Sequence, residues 1–298
     1  MKIERQDGEL ALPPVVHMDE TRGLRRLVVL TKDCEAILYL HGAQLTHWRP
    51  TGAKPVLWMS SQSQFHPDKP LRGGVPICFP WFARHPCVPG APSHGFVRTM
   101  EWTVAEVRLN PIGEVVITLT LAPPEDLMRQ WECRFDLSYT VTLGTALRMA
   151  LTCRNTGDDL DVFTEALHTY FAVGDARQAS VYGLENVEYI DKTLENSRHR
   201  QGGEPVVVRG ELDRLYVNTR AACILNDPAW GRTITVAKTG SEATVIWNPH
   251  SDKAAAMTDF GDEEWLDMLC IETANAGDSA VSLYPGDSHT MEARIVLT

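Results

Sequence analysis

Two residues in this chain combine a titratable side chain with an apolar setting. His168 lies in Glu165-Ala166-Leu167-His168-Thr169-Tyr170-Phe171, and Glu272 closes the run Met268-Leu269-Cys270-Ile271. Imidazole titrates near neutral pH, so His168 suits general acid–base work. The plainer reading is a histidine at a core edge, bonded to a backbone carbonyl. A carboxylate at the end of a buried strand costs free energy unless it is paired or used. Glu272 is therefore the best single candidate for a tuned base. A third source of chemistry is residues 71–98, LRGGVPICFPWFARHPCVPGAPSHGFVR, with four glycines and five prolines. That density predicts a long irregular segment, and its aromatic content argues for order. It presents Arg72, His94 and Arg98, or else simply plugs one end of a sandwich or barrel. The run Glu211-Leu212-Asp213-Arg214-Leu215-Tyr216 reads as a solvated turn with a surface ion pair worth under about 1 kcal/mol.

Taken together, these types describe one kind of ligand. The faces of Phe79, Trp81, Phe82 and Trp247 can stack on sugar rings, and arginines beside Gly73-Gly74 suit a phosphate. A His/Glu pair suits proton shuffling. A site for a phosphorylated sugar follows, assembled from pieces spread widely along the chain. Other chemistries lose support. The ten histidines show neither H-x-H nor H-E-x-x-H spacing, and no Cys pair accompanies them, so no metal site is expected. G-x-S-x-G, G-x-x-x-x-G-K-[ST] and G-x-G-x-x-G are all absent. No cofactor is expected.

The elements that must position these residues are strands. In Val115–Leu121, Ile117, Leu119 and Leu121 share a face against Thr118 and Thr120. Leu137–Leu143 repeats the pattern, and Ala146–Cys153 follows through Gly144-Thr145 as a hairpin partner. Short apolar runs at 27–30, 36–40, 56–58, 160–171, 206–209, 222–225, 233–237, 243–247, 268–272, 281–284 and 290–297 extend the series. Helices are expected only near 124–131 and 254–265. No βαβ rhythm is present, so an all-β antiparallel sandwich or barrel is predicted. No linker divides residues 1–298, which reads as a single domain with an irregular lead-in over 1–23.

Composition agrees. Of 298 residues, 44% are hydrophobic, and the net charge is −11. An acidic chain is a poor partner for nucleic acid, although a few local arginines still make a positive pocket. No secretory signal or membrane-length apolar run is visible. The seven scattered cysteines read as reduced thiols. A cytoplasmic monomer is expected, with a small sugar phosphate as its partner.

The run LRGGVPICFPWF with SHGFVR, then ALHTYFAVGD, GLENVEYIDK, ELDRLY, WNP and MLCIETANA, resembles the glucose-6-phosphate 1-epimerases of the aldose 1-epimerase superfamily. The likeness runs in order from about Leu27 to the C-terminus. It implies a large antiparallel sandwich of galactose mutarotase type with a few short helices, and it implies interconversion of α and β anomers by ring opening and reclosure. By that resemblance Glu272 is the base on the C1 hydroxyl and His168 the acid on the ring oxygen. His94 and Asp213 orient the sugar. Arg72 and Arg98 hold the 6-phosphate, or Arg72 holds a ring hydroxyl instead, while Trp81 and Phe82 shape the pocket. Ala83 stands where the family often has Gly, and His250 where it often has an aromatic. Mutarotation of an unphosphorylated aldose and a non-catalytic carbohydrate-binding role are the alternatives.

Overall fold

The computed structural model describes residues 12–85 and 87–298. Period-two alternation becomes a sheet where it was strongest. Val115–Leu121 pairs with Phe135–Leu143, Thr118 opposite Thr140, and Ala146–Asn155 follows as the hairpin partner. Ile117, Leu119, Tyr139 and Val141 are fully buried. These strands sit in a nine-stranded antiparallel sheet, in the order 206–207, 180–182, 223–227, 232–239, 288–297, 146–155, 135–143, 115–121, 103–109.

A second sheet of eight strands runs 197–200, 188–191, 212–216, 243–248, 268–275, 165–167, 77–78, with 170–172 also paired to 268–275. Its row Leu167–Thr273–Thr244 looks toward the nine-stranded sheet, because Lys238 Nζ from that sheet donates to Thr244 Oγ1 at 2.8 Å. Leu167, Ile246 and Ile271 join Tyr139, Leu151 and Ile295 in one apolar core. The two sheets therefore form a sandwich. A four-stranded sheet over residues 16–50 and a two-stranded one complete the architecture.

Several local expectations change. The lead-in contains a strand, Val16–Thr21, held by Leu24–Leu30; residues 1–11 of it lie outside the described residues. Val56–Trp58 forms isolated bridges, Leu57 with Phe171 for example, rather than a strand. The run 160–171 breaks into Asp161–Phe163, Glu165–Leu167 and Tyr170–Ala172. Leu212–Tyr216, read as a solvated turn, is an interior strand between Glu188–Asp191 and Ala243–Asn248, because Leu212, Leu215 and Tyr216 are buried. The second helix is His250–Ala256, and a separate 3-10 turn follows at Glu264–Asp267. Within residues 71–98, Ile77–Cys78 is a sheet edge paired to Ala166–Leu167.

Candidate active site

His168 occupies the break in the expected long strand. Leu167 pairs with Thr273 and Tyr170 with Cys270 on one neighbouring strand, so His168 stands directly across from Glu272. The backbone stays satisfied through the break. His168 N donates to Pro76 O at 3.0 Å, and Ile271 N donates to Thr169 O at 3.2 Å. His168 Nε2 lies 3.4 Å from Glu272 Oε1. Residues opposite one another in an antiparallel ladder share a face. One row on this face is Leu215, Val245, Glu272 and His168; the next is Asp213, Trp247, Cys270 and Tyr170. The His168 ring stacks on Tyr170 with centroids 4.7 Å apart and planes 9° apart.

The His168–Glu272 pair is buried, with Glu272 1% and His168 7% exposed. Burial pushes the Glu272 carboxyl well above its ordinary range, Lys192 acting against the shift and Asp213 with it. Burial, with the nearby charges of Arg72 and Arg98, pushes His168 well below its own. Glu272 Oε2 and His168 Nδ1 are buried without a hydrogen-bond partner among the described residues. Unsatisfied buried polar atoms cost about 1–3 kcal/mol each, and they concentrate where chemistry requires them.

The 71–98 loop forms the opposite wall. Gly95 has φ +72°, and a Cβ there would meet Phe79 O at 1.8 Å, so only glycine lets the loop cross Phe79. That crossing fixes His94. His94 N donates to Ala83 O at 2.7 Å, and Ala83 N donates to His94 Nδ1 at 3.2 Å. Nδ1 is thus an acceptor, and a neutral ring carries its hydrogen on Nε2. Burial and then Arg98 hold His94 well below its ordinary value, which keeps it neutral. Its ring centroid lies 5.7 Å from that of His168. Ala83, the departure from glycine, has φ +63°, a left-handed conformation that glycine adopts without strain.

Three cations rim the pair. Arg72 donates Nε to Asp259 Oδ2 at 3.1 Å and Nη1 to the Tyr170 hydroxyl at 3.0 Å. Burial works against its charge, and Tyr170 and Asp259 more than offset it. Arg98 donates Nη2 to Ser93 O at 2.6 Å. Lys192 Nζ lies 3.4 Å from Asp213 Oδ1 and 4.3 Å from the Phe82 ring centroid. Phe82 also meets His94 edge-on at 4.9 Å.

Seven of the eight expected residues therefore converge: His168, Glu272, His94, Arg72, Arg98, Asp213 and Phe82. Trp81 does not. Its indole packs on Trp131 at 4.9 Å and on Phe96, and its Nε1 donates to Pro92 O. Phe82, next in sequence, instead meets the His94 ring and Lys192. Sequence reasoning missed Lys192, Tyr170 and Asp259. Tyr170 was detectable by its strand alternation with His168, while the others depend on pairings between distant segments.

A large antiparallel sandwich whose second sheet carries a buried His/Glu pair defines the galactose mutarotase-like class, and comparison with known proteins narrows it. The chain is 35% identical over 274 residues to a candidate glucose-6-phosphate 1-epimerase of Cenchrus ciliaris, covering 89% of this chain and 82% of that protein. It is 32% identical to one of Escherichia coli, covering 90% and 89%. The solved structure of a candidate mutarotase from Salmonella typhimurium superposes with a TM-score of 0.90 at 29% identity, over 97% of this chain and 96% of that one. The family model described as aldose 1-epimerase matches residues 26–296. The chain belongs to the aldose 1-epimerase family and is an isomerase.

Proposed function

We propose that this enzyme interconverts the α and β anomers of a hexose 6-phosphate, glucose 6-phosphate foremost. The observation that carries the reading is the His168–Glu272 contact of 3.4 Å inside a rim of three cations. In a hemiacetal, the C1 hydroxyl and the ring oxygen share one carbon. Ring opening takes a proton from the first and gives one to the second. An acid and a base must therefore stand side by side, as these do. Glu272 removes the C1 hydroxyl proton while His168 Nε2–H protonates the ring oxygen. The C1–C2 bond rotates in the open aldehyde. Closure runs the same transfers backwards from the other face. The pair carries one proton throughout: burial rests it on Glu272 in the free enzyme. The form that opens the ring is the ion-paired one, Glu272 carboxylate beside His168 imidazolium, which becomes protonated Glu272 beside neutral His168 once the ring is open.

His94 donates from Nε2 to a sugar oxygen, and Asp213, held by Lys192, accepts from a hydroxyl. Phe82 packs beside the ring. The Arg72 guanidinium is already tied to Asp259 and Tyr170, so Arg98 is the better holder of the phosphate, with Lys192 adding charge. The relatives' names support the phosphorylated substrate. We read the protein as a cytoplasmic monomer, supported by its seven unpaired cysteines and by a site drawn from one chain. Arg98→Ala tests the phosphate assignment. KM for glucose 6-phosphate rises about tenfold or more while turnover of free glucose is unchanged. Equal loss on both substrates removes Arg98 from phosphate binding and favours an unphosphorylated aldose.

A further inference from the structure

The catalytic face holds a third ligating group. Cys270 is two residues before Glu272 on the same strand and on the same face, and it pairs with Tyr170 next to His168. One ligand atom from each of His168, Cys270 and Glu272 lies within 4.8 Å of the others, and all three residues are buried. The proton-transfer scheme above uses His168 and Glu272 and leaves the thiol without a task.

We propose that this triad is an inhibitory site for a thiophilic divalent cation, zinc above all, that excludes the sugar. The donor set of imidazole, thiolate and carboxylate is one that zinc takes. Ligands about 2.0–2.1 Å from a tetrahedral zinc lie roughly 3.3–3.4 Å from each other. His168 Nε2 and Glu272 Oε1 are already 3.4 Å apart. Bringing the sulfur in asks for a shift of about 1 Å, since a zinc–sulfur bond is about 2.3 Å. An ion at Nε2 and Oε1 replaces their mutual contact, and among the described residues His168 Nδ1 and Glu272 Oε2 have no hydrogen bond that its arrival would break.

Charge balances as well. Arg72, Arg98 and Lys192 disfavour a bare cation here, and Asp213 favours one. On binding, the Cys270 thiol and the His168–Glu272 pair each release one proton to solvent, two protons for one divalent ion, and His168 binds as the neutral ring. Thiolate plus carboxylate then cancel the two positive charges, and the occupied site adds none to the surrounding field. The bound ion ties up the Glu272 carboxylate and a His168 lone pair at once. It therefore blocks both proton transfers and the position of C1. Magnesium, which prefers oxygen ligands in octahedral array, has no such fit.

This inference rests on the acid–base reading for its inhibitory part only, and metal uptake is measured separately. Cobalt(II) serves as the spectroscopic probe, in a Cys87→Ser background that removes the exposed thiol. One equivalent binds, with a near-ultraviolet thiolate-to-cobalt charge-transfer band. The band disappears in Cys270→Ala and, as a second replacement of similar size, in Cys270→Ser. In turnover assays zinc raises the apparent KM for glucose 6-phosphate about tenfold or more with kcat unchanged. Chelation reverses this, magnesium does not reproduce it, and Cys270→Ala relieves it while retaining basal activity. No bound cobalt, a band that survives in folded Cys270→Ala, or inhibition that lowers kcat without raising KM would each overturn the proposal. An enzyme that binds cobalt with the band but shows no mutarotation without metal would leave the site standing and refute the function.

Discussion

Glu272 and His168 are shifted in opposite directions by one cause, loss of water around each charged form, and nearby cations add to the His168 shift. Their two macroscopic pKa values belong to the pair jointly. A second proton would place an imidazolium beside Arg72 and Arg98, so the acid limb of kcat falls below the ordinary histidine value of 6.5. Loss of the last proton leaves a carboxylate in a dry site, so the alkaline limb lies above the ordinary glutamate value of 4.5. A profile of kcat against pH is expected to be bell-shaped, with its plateau where the pair holds one proton. A monotonic profile would contradict shared-proton catalysis. Glu272→Gln lowers kcat by about 10²–10⁴-fold, and the alkaline limb goes with it. Because the replacement removes a buried ionisable group with an unpartnered oxygen, the variant unfolds in denaturant no earlier than the parent. At this scale sequence was informative about residue type: an apolar run ending in Glu272 and a histidine among aromatics marked both groups. It was silent on their contact, because a cross-strand pair exists only once two distant strands are in register.

The elements hold these side chains by ladder geometry and by one tight crossing. Gly95 has φ +72° and a contact that admits no Cβ, so Gly95→Ala costs about 2 kcal/mol or more. Activity falls further than stability alone explains, because His94 is displaced; chemical unfolding measured alongside kcat/KM separates the two effects. Beyond the site, the strand 268–275 ends in a buried cluster. Glu165 Oε1 accepts from Asn275 Nδ2 at 2.8 Å and lies 3.1 Å from His289 Nε2. The hydrogen bond to Glu165 raises His289 above its ordinary 6.5, burial opposing. A raised folded value means that stability is fully present below pH about 6.5 and is lost as pH rises through the folded value. His289→Gln therefore flattens this part of the stability–pH curve, which denaturation at a series of pH values measures. Alternation made the strands around Thr118 and Thr140 legible, as both faces differ in polarity. Leu212–Tyr216 was misread because a charged pair, Asp213-Arg214, interrupts it; the fold spends both charges on partners, Lys192 and Asp191. The 71–98 loop was legible as ordered, and the side each aromatic faces was not: Trp81 packs on Phe96 and Trp131, while Phe82 meets His94.

At the scale of the molecule, Arg232 ties the two large sheets together, its ion pair lying within the nine-stranded sheet and its hydrogen bond to Ala172 O reaching the other. Arg232, on strand 232–239, meets Asp227 at 3.2 Å and also donates to Ala172 O and Pro55 O. Asp227 is fully buried. Arg232→Ala leaves that carboxylate without its ion-pair partner and costs about 3–5 kcal/mol, read as a lowered denaturation midpoint. The all-β antiparallel class was legible from the absence of any βαβ rhythm and from many short strands. The division into two sheets was not, because strand order depends on pairings between segments far apart in sequence. The most direct test of the central claim uses freshly dissolved α-glucose 6-phosphate, with the anomeric proton signals followed by magnetic resonance. The protein is expected to bring α and β anomers to equilibrium far faster than buffer, and folded Glu272→Gln to remain near the buffer rate. Folded wild-type protein that leaves the buffer rate unchanged would contradict the account.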